Sequence, residues 1–167
     1  MIEIRWHARA GQGAKTAAQL LAEGMLRAGK SVQAFPEYGP ERRGAPMRAY
    51  TRIDRRPIRR HDSVTHPDVV VVLDPSLVHE SDVTDGMGEG GLVLVNATAV
   101  PPELSGVNVR CVAAGPNVNV AMAGAVAAAL GEPSVDELAD AAQEHLGRKA
   151  DRAALRASIE EGHACLA

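Results

Sequence analysis

PDVVVVLDPS, Pro67 to Ser76, is the stretch that decides the fold. Val69 to Leu73 are apolar without interruption, between Pro67 on one side and Asp74-Pro75 on the other. A strand with one solvent face alternates apolar and polar residues. A run with no alternation, too short for a helix and bounded by proline, reads as a strand buried on both faces, as in the centre of a parallel sheet. Working outward, the chain should therefore supply other strands beside this one and helices to cover them.

Towards the amino terminus, Met1 to Trp6 alternates Ile2, Ile4 and Trp6 with Glu3 and Arg5, which predicts a strand with one apolar face. A glycine-rich turn follows at Gly11 to Gly13. Ala17, Leu20, Leu21, Gly24 and Met25 then have helical spacing, with Gly29 as the closing cap. Val32 to Phe35 and Met47 to Ile53 are two further short strands. Between them lies EYGPERRGAP, Glu37 to Pro46, in which prolines and glycines every few residues rule out helix and central strand and present Arg42 and Arg43 from a loop.

Towards the carboxy terminus, Leu92 to Val95 and Val109 to Ala113 read as strands, separated by a loop through Pro101-Pro102. Val118 to Leu130 is nearly all Ala, Val, Gly and Met, too long for a strand. It predicts a buried helix whose Ala121, Gly124 and Ala128 side allows close backbone approach. Ser134 to Glu137 has the spacing of a capping box, opening a helix that Gly147 closes, and Asp151 to Ala164 is a last helix. With no repeat and no linker, the 167 residues read as one domain spanning 1–167, long enough to bury roughly 70% of the unfolded surface. The alternation of strand and helix makes it an α/β sandwich with a mostly parallel sheet.

Composition excludes several functions. Two cysteines, Cys111 and Cys165, cannot supply the four thiolates of an iron–sulfur cluster. Four aromatic residues leave little for bases to stack on, so nucleic acid is not an expected partner. No apolar run reaches membrane-spanning or signal-peptide length, so the chain is expected to be cytoplasmic, away from any membrane. The net charge of -3 conceals an asymmetry: residues 42–60 hold eight arginines against Asp54, whereas residues 61–109 hold eight acids and neither Lys nor Arg. This pattern fits either docking to other subunits or two solvated faces on one chain.

The glycine turn fits neither familiar phosphate motif. Lys15-Thr16 follows Ala14 where a Walker loop needs glycine, and Thr16 stands where a dinucleotide fingerprint has its third glycine. What remains is a strand-to-helix turn, Gly11-Gln12-Gly13, whose free amides could hold an anion with Lys15 nearby, or could simply permit a tight turn. Arg42 and Arg43 suit planar anions or carboxylates of a partner, or pin their own loop. His7 is expected as a sheet-edge or surface residue at the end of the first strand, near enough to the turn to touch a ligand. Cys111 is expected in a buried strand. His61, Asp62 and His66 lack a third metal ligand at useful spacing, and no nucleophile–base grouping has local support.

RWHARAGQGAKTAAQLLAEG (Arg5 to Gly24), QAFPEYGPERRGAPMRAYTRI (Gln33 to Ile53), PDVVVVLDPSLV (Pro67 to Val78) and NVAMAGAVAAALG (Asn119 to Gly131), in this order, resemble the gamma subunits of the 2-oxoacid:ferredoxin oxidoreductases, above all the pyruvate and 2-ketoisovalerate branch. Ala8 and Ala10 stand where that family has glycines. The resemblance implies a Rossmann-like three-layer sandwich. It implies a non-catalytic subunit of an enzyme that converts a 2-oxoacid and coenzyme A to an acyl-CoA and CO2, passing electrons to ferredoxin or another acceptor. Thiamine diphosphate, Mg2+ and [4Fe-4S] clusters would belong to alpha, beta and delta subunits. Gly11, Gln12, Gly13, Lys15, Arg42 and Arg43 would then be contacts to an anion, to coenzyme A or to a neighbouring subunit. A stand-alone nucleotide-binding or scaffold module is the alternative.

Overall fold

The computed structural model describes residues 1–37, 44–147 and 150–166. Its strands are β1 (Ile2–Arg9), β2 (Ser31–Glu37), β3 (Pro46–Asp54), β4 (Val69–Val72), β5 (Leu92–Val95) and β6 (Val109–Cys111). Its helices are α1 (Ala14–Arg27), α2 (Val118–Leu130), α3 (Val135–Leu146) and α4 (Arg152–Ala164). The six strands form one sheet in the order β2-β3-β1-β4-β5-β6. β1, β4, β5 and β6 run parallel, while β3 lies antiparallel to both β1 and β2. The sheet is mostly parallel, as the valine run requires: β4 is buried over its whole length, with Val70, Val71 and Val72 fully inaccessible.

Side-chain parity splits the core into two layers. Ile4, Trp6, Ala8, Val69, Val71 and Leu94 point to the helices, joining Leu20, Leu21 and Met25 of α1 and Val126 of α2. Each such large apolar side chain contributes about 1.5–3 kcal/mol by leaving water. Val70, Val72, Val93 and Val95 point the other way, onto Leu77, Val78, Val83 and Leu104. That third layer is built from two 3-10 turns, Pro75–His79 and Pro102–Leu104, and from irregular chain, not from α-helices. The helical layer is itself stacked, with α3 packed on α1 and α4 on α2.

Most predicted elements stand at or near their expected bounds. Ser134 and Glu137 form the reciprocal capping box, and α3 ends at Leu146 before Gly147. α1 stops at Arg27, one residue short of its cap at Ala28, and Lys30 N–H closes back on the Met25 carbonyl at 3.0 Å. The all-small helix finds its partner within the chain: a Cβ on Gly124 would sit 2.3 Å from the Ile159 carbonyl oxygen, and one on Gly162 only 1.8 Å from that of Ala121. Ala128, expected on the same packed side, is half-buried. Paired glycines thus let α2 and α4 meet backbone to backbone.

The first strand departs from its reading. It runs on to Arg9 and sits in the middle of the sheet, so its polar face is covered as well: Arg5 is 3% and His7 4% exposed. His7 is therefore neither a surface nor a sheet-edge residue, because the antiparallel β3 lies on one side and β4 on the other. The last strand is shorter than expected, ending at Cys111, which is half-buried rather than enclosed.

Arg5 and Arg52, on the face of the sheet away from the helices, are paired. Arg5 donates from its terminal nitrogen to the carbonyls of Val83 (3.0 Å) and Asp85 (2.6 Å), and from Nε to His7 Nε2 (3.1 Å). A guanidinium nitrogen only donates, so His7 Nε2 carries the lone pair and Nδ1 carries the proton. Burial, with the charges of Arg5 and Arg48, lowers the His7 pKa to about 3. Arg52, fully buried, pairs with Glu3 at 2.8 Å and Asp62 at 3.4 Å and lies over the Phe35 ring, 5.5 Å from its centroid. The basic cluster is thus partly neutralised from within, since Arg60 also pairs with Glu3 and Asp62. Arg55, Arg56 and Arg59 remain exposed.

Two measurements test this packing. Gly124→Leu and Gly162→Ala should each destabilise the chain by at least about 1–3 kcal/mol in denaturant titrations. Gly90→Ala, where an added Cβ meets nothing within 4 Å, should stay within about 0.5 kcal/mol. Equal stabilities would mean that the α2–α4 contact is loose. In NMR spectra His7 should remain a neutral Nδ1–H imidazole down to about pH 5. Because its folded pKa of about 3 lies below the ordinary 6.5, the associated stabilisation is complete above pH 6.5 and fades as pH falls towards 3. An imidazole that titrates near 6.5 in the folded chain contradicts the assignment.

Candidate functional site

The four parallel strands end along one edge of the sheet, and their outgoing loops enclose a cleft of about 640 Å³. The chain leaves β1 towards β2 and β3, whereas β4 continues towards β5 on the opposite side. The cleft therefore opens at the point where the strand order reverses, the place at which open α/β sheets bind ligands. Gly11, Gln12 and Gly13 form one wall, Asp74 another, and Asn96 and Asn119 the third.

The glycine turn has its composition for geometric reasons. Gly11 and Gly13 have φ of 99° and 82°, and a Cβ on Gly13 would lie 2.7 Å from Asn119 Nδ2 on the first turn of α2. No non-glycine residue among those described has positive φ, so Ala8 and Ala10 fit without strain. Ala8 is fully buried in β1. Gln12 clamps the turn: its Oε1 accepts the Arg9 N–H at 2.7 Å, and its Nε2 donates to Asp74 Oδ2 at 2.7 Å. Asp74 Oδ1 accepts from Ser76 N (3.0 Å) and Oγ (2.6 Å), and Arg9 Nε stands 3.3 Å from Oδ2. Partial burial pushes the Asp74 carboxyl up, but these hydrogen bonds and the Arg9 charge outweigh it and hold the group below the usual carboxylate range. It is a fixed, ionised strut, unsuited to proton transfer at neutral pH.

Two helices start at this cleft, and neither is capped by a side chain. α1 begins at Gly13 and α2 at Asn117, and neither has an acidic residue in its first turn. Away from the cleft, α3 and α4 are capped by Ser134 and Asp151. The first-turn amides of a helix lack intrahelical acceptors and carry a partial positive charge, so two uncapped starts facing one space favour an anion, by about 0.3–1 kcal/mol each.

Of the residues singled out in the sequence, the structure brings Gly11, Gln12 and Gly13 into this wall. Lys15 is exposed on the first turn of α1, outside the residues that line the cleft. Arg42 and Arg43 lie outside the described residues. Their segment joins β2 to the antiparallel β3, and its far end is tied to the glycine turn: Ala10 N–H donates to the Ala45 carbonyl at 2.8 Å and Gly44 N–H to that of Ala10 at 3.3 Å. Asn96, Asn119, Asp74 and Arg9 were missed. Asp74-Pro75 after the valine run and Pro116-Asn117 before the small-residue helix mark the ends that face this edge, but pairwise spacing in the sequence does not bring them together. Asp62 belongs to the Arg52 and Arg60 pairs, and no group of three metal-ligating residues exists among those described. No described helix is long and apolar enough to cross a membrane.

Comparison with known proteins agrees with this architecture. Residues 3–163 match the pyruvate ferredoxin/flavodoxin oxidoreductase family. The pyruvate/ketoisovalerate oxidoreductases common subunit gamma of Thermococcus litoralis is 45% identical over 176 residues, covering 94% of this chain and 95% of that one. The crystal structure of pyruvate oxidoreductase subunit PORC from Thermotoga maritima superposes with a TM-score of 0.83 at 36% identity, over 98% of this chain and 95% of that one. A 2-oxoglutarate:ferredoxin oxidoreductase from Magnetococcus marinus, solved with 2-oxoglutarate, coenzyme A and succinyl-CoA bound, shares the fold at 17% identity and a TM-score of 0.75, over 99% of this chain and 31% of that one. The chain belongs to the pyruvate ferredoxin/flavodoxin oxidoreductase family, among its gamma-type subunits.

Proposed function

We propose that this chain is the non-catalytic gamma subunit of a thiamine-diphosphate-dependent 2-oxoacid:acceptor oxidoreductase, a single domain over residues 1–167 that joins alpha, beta and delta polypeptides or their fused equivalents. In the complex, a 2-oxoacid and coenzyme A give acyl-CoA and CO2, with electrons leaving through [4Fe-4S] clusters to ferredoxin or another acceptor. Thiamine diphosphate, Mg2+ and the clusters sit on the partner chains. The observation that carries the reading is the convergence of two uncapped helix starts on one cleft, in a chain of this family, around walls made of amides and a carboxylate paired with Arg9. Such walls bind and orient. The anionic end of coenzyme A suits them, with Gly11, Gln12 and Gly13 contributing backbone and side-chain donors and Lys15, Arg42 and Arg43 contributing charge at the rim or at a subunit interface.

Purified alone, the chain should be colourless and show no 2-oxoacid oxidation, while pull-down from the native cell should recover cluster-bearing partners. A lone brown, active preparation, or a solitary monomer in the pull-down, contradicts the proposal. Arg42→Ala and Arg43→Ala should leave the melting temperature of the lone chain unchanged yet weaken assembly, or raise the coenzyme A requirement of the complex, by about tenfold or more, since a buried charge that loses its partner at an interface costs about 2–5 kcal/mol. Arg55→Ala, exposed in the same basic cluster, should cost under about 1 kcal/mol by either measure. If the Arg42 and Arg43 variants instead destabilise the lone chain and leave assembly and kinetics intact, the pair only pins its own loop.

A further inference from the structure

Arg9 forms a partition. Its guanidinium pairs with Asp74 and Glu80 and donates to Ser76 Oγ at 2.7 Å, and on the far side of Glu80, under the sheet, lies a second hollow of about 350 Å³. Among the residues that line it are His7, Glu37, Arg48, Leu77 and Glu80. His7 and Arg48 are direct cross-strand partners, so their side chains stand together on the same face.

The donors and acceptors of this hollow are unevenly used. Glu37 accepts from Tyr50 Oη and Glu80 pairs with Arg9, so both carboxylates are engaged. Arg48, half-buried, makes neither an ion pair nor a hydrogen bond among the described residues, even though Glu37 is its partner in the β2–β3 register. His7, 96% buried by its 4% exposure, spends Nε2 on Arg5 and has no acceptor for its Nδ1–H among the described residues. Arg5 is committed to two carbonyls and to His7. Among the described residues, the hollow therefore presents one unspent guanidinium fork and one fixed neutral N–H beside the apolar side chain of Leu77.

We propose that this hollow is a binding site for a carboxylate group, held by the Arg48 guanidinium and the His7 Nδ1–H. A single spare positive charge flanked by two occupied carboxylates matches a monoanion and disfavours a phosphate dianion. A planar carboxylate takes two parallel bonds from a guanidinium, and its short alkyl end would rest on Leu77. The site is separate from the cleft assigned to coenzyme A and does not depend on that assignment. The carboxylate comes either from a small free acid or from an Asp or Glu side chain of a partner subunit.

The test is a titration of the full chain with sodium acetate, followed by NMR at the His7 Nδ1–H and Arg48 Nε–H, with sodium phosphate and chloride at equal ionic strength as controls. Acetate should shift both signals and saturate with a dissociation constant on the order of millimolar, as expected for so small a ligand, while phosphate and chloride leave them in place. Arg48→Gln should weaken acetate binding by about tenfold or more without lowering the melting temperature, and Arg48→Lys should restore part of it. Should Arg48→Gln fold poorly, the response of the His7 signal in the unaltered chain still decides. Repeating the titration on the assembled complex separates the sources. Retained acetate binding identifies a free ligand; loss of binding together with weaker assembly of Arg48→Gln identifies a partner's side chain. Signals that ignore acetate, or that move equally with chloride, overturn the proposal.

Discussion

β1 lies between an antiparallel neighbour on one side and a parallel one on the other, and nearly everything else in the molecule follows from that position. Because β4 runs beside it in the same direction, their carboxy ends share one edge, and the loops that leave in opposite directions must part there. The parting is the cleft. Because β1 is central, both of its faces are covered, and Arg5 and His7, which alternate with Ile4 and Trp6, are almost wholly withdrawn from bulk water. Burying an arginine or a histidine without partners would be costly, so the layer beneath the sheet is organised around satisfying them, with the Val83 and Asp85 carbonyls drawn onto Arg5.

The same constraint explains why the two faces of the sheet are covered by different means. Away from Arg110 on the edge strand β6, the helical face is apolar apart from Thr51, and there the stacked helices can approach closely enough that glycine is required at the α2–α4 crossing. The opposite face mixes valines at β4 and β5 with arginines at β1 and β3. Irregular chain suits it better than helix, because loop carbonyls are free to turn onto guanidinium groups, whereas helix carbonyls are spent on their own turns.

Arg9, Asp74 and Gln12 give the cleft its rigidity. Gln12 bridges the glycine turn to Asp74, Asp74 opens the 3-10 turn after β4, and Arg9 ties both to Glu80. A site assembled this way holds its shape without a ligand, and its donors are backbone amides whose positions are set by two helices. Preorganised amides recognise anionic groups but have no proton to exchange and no nucleophile to offer, which accords with a supporting place in a larger enzyme. The tie from Gly44 and Ala45 to Ala10 joins the start of β3 to the glycine turn, so residues more than thirty apart in sequence meet beside one cleft.

The sequence by itself determined the elements whose cause is local. The unbroken apolar run of β4, the capping box at Ser134, the small-residue helix and the strand-to-helix turn at Gly11 to Gly13 each depend on neighbours within a few residues, and each is found where its pattern placed it. Family likeness added the gamma-type architecture. What the tertiary structure alone decided is whatever depends on strand order. Alternation in the first strand predicts one wet face, but a central position buries both, and His7 passes from an expected surface residue to a neutral group locked by Arg5. Lys15 is exposed outside the residues that line the cleft because the rotation of α1 about its axis is set by packing Leu20 and Leu21 against the sheet. Asn96 and Asn119 enter the site, and Arg48 comes to stand beside His7, because parallel crossovers and sheet register join residues that no local pattern links.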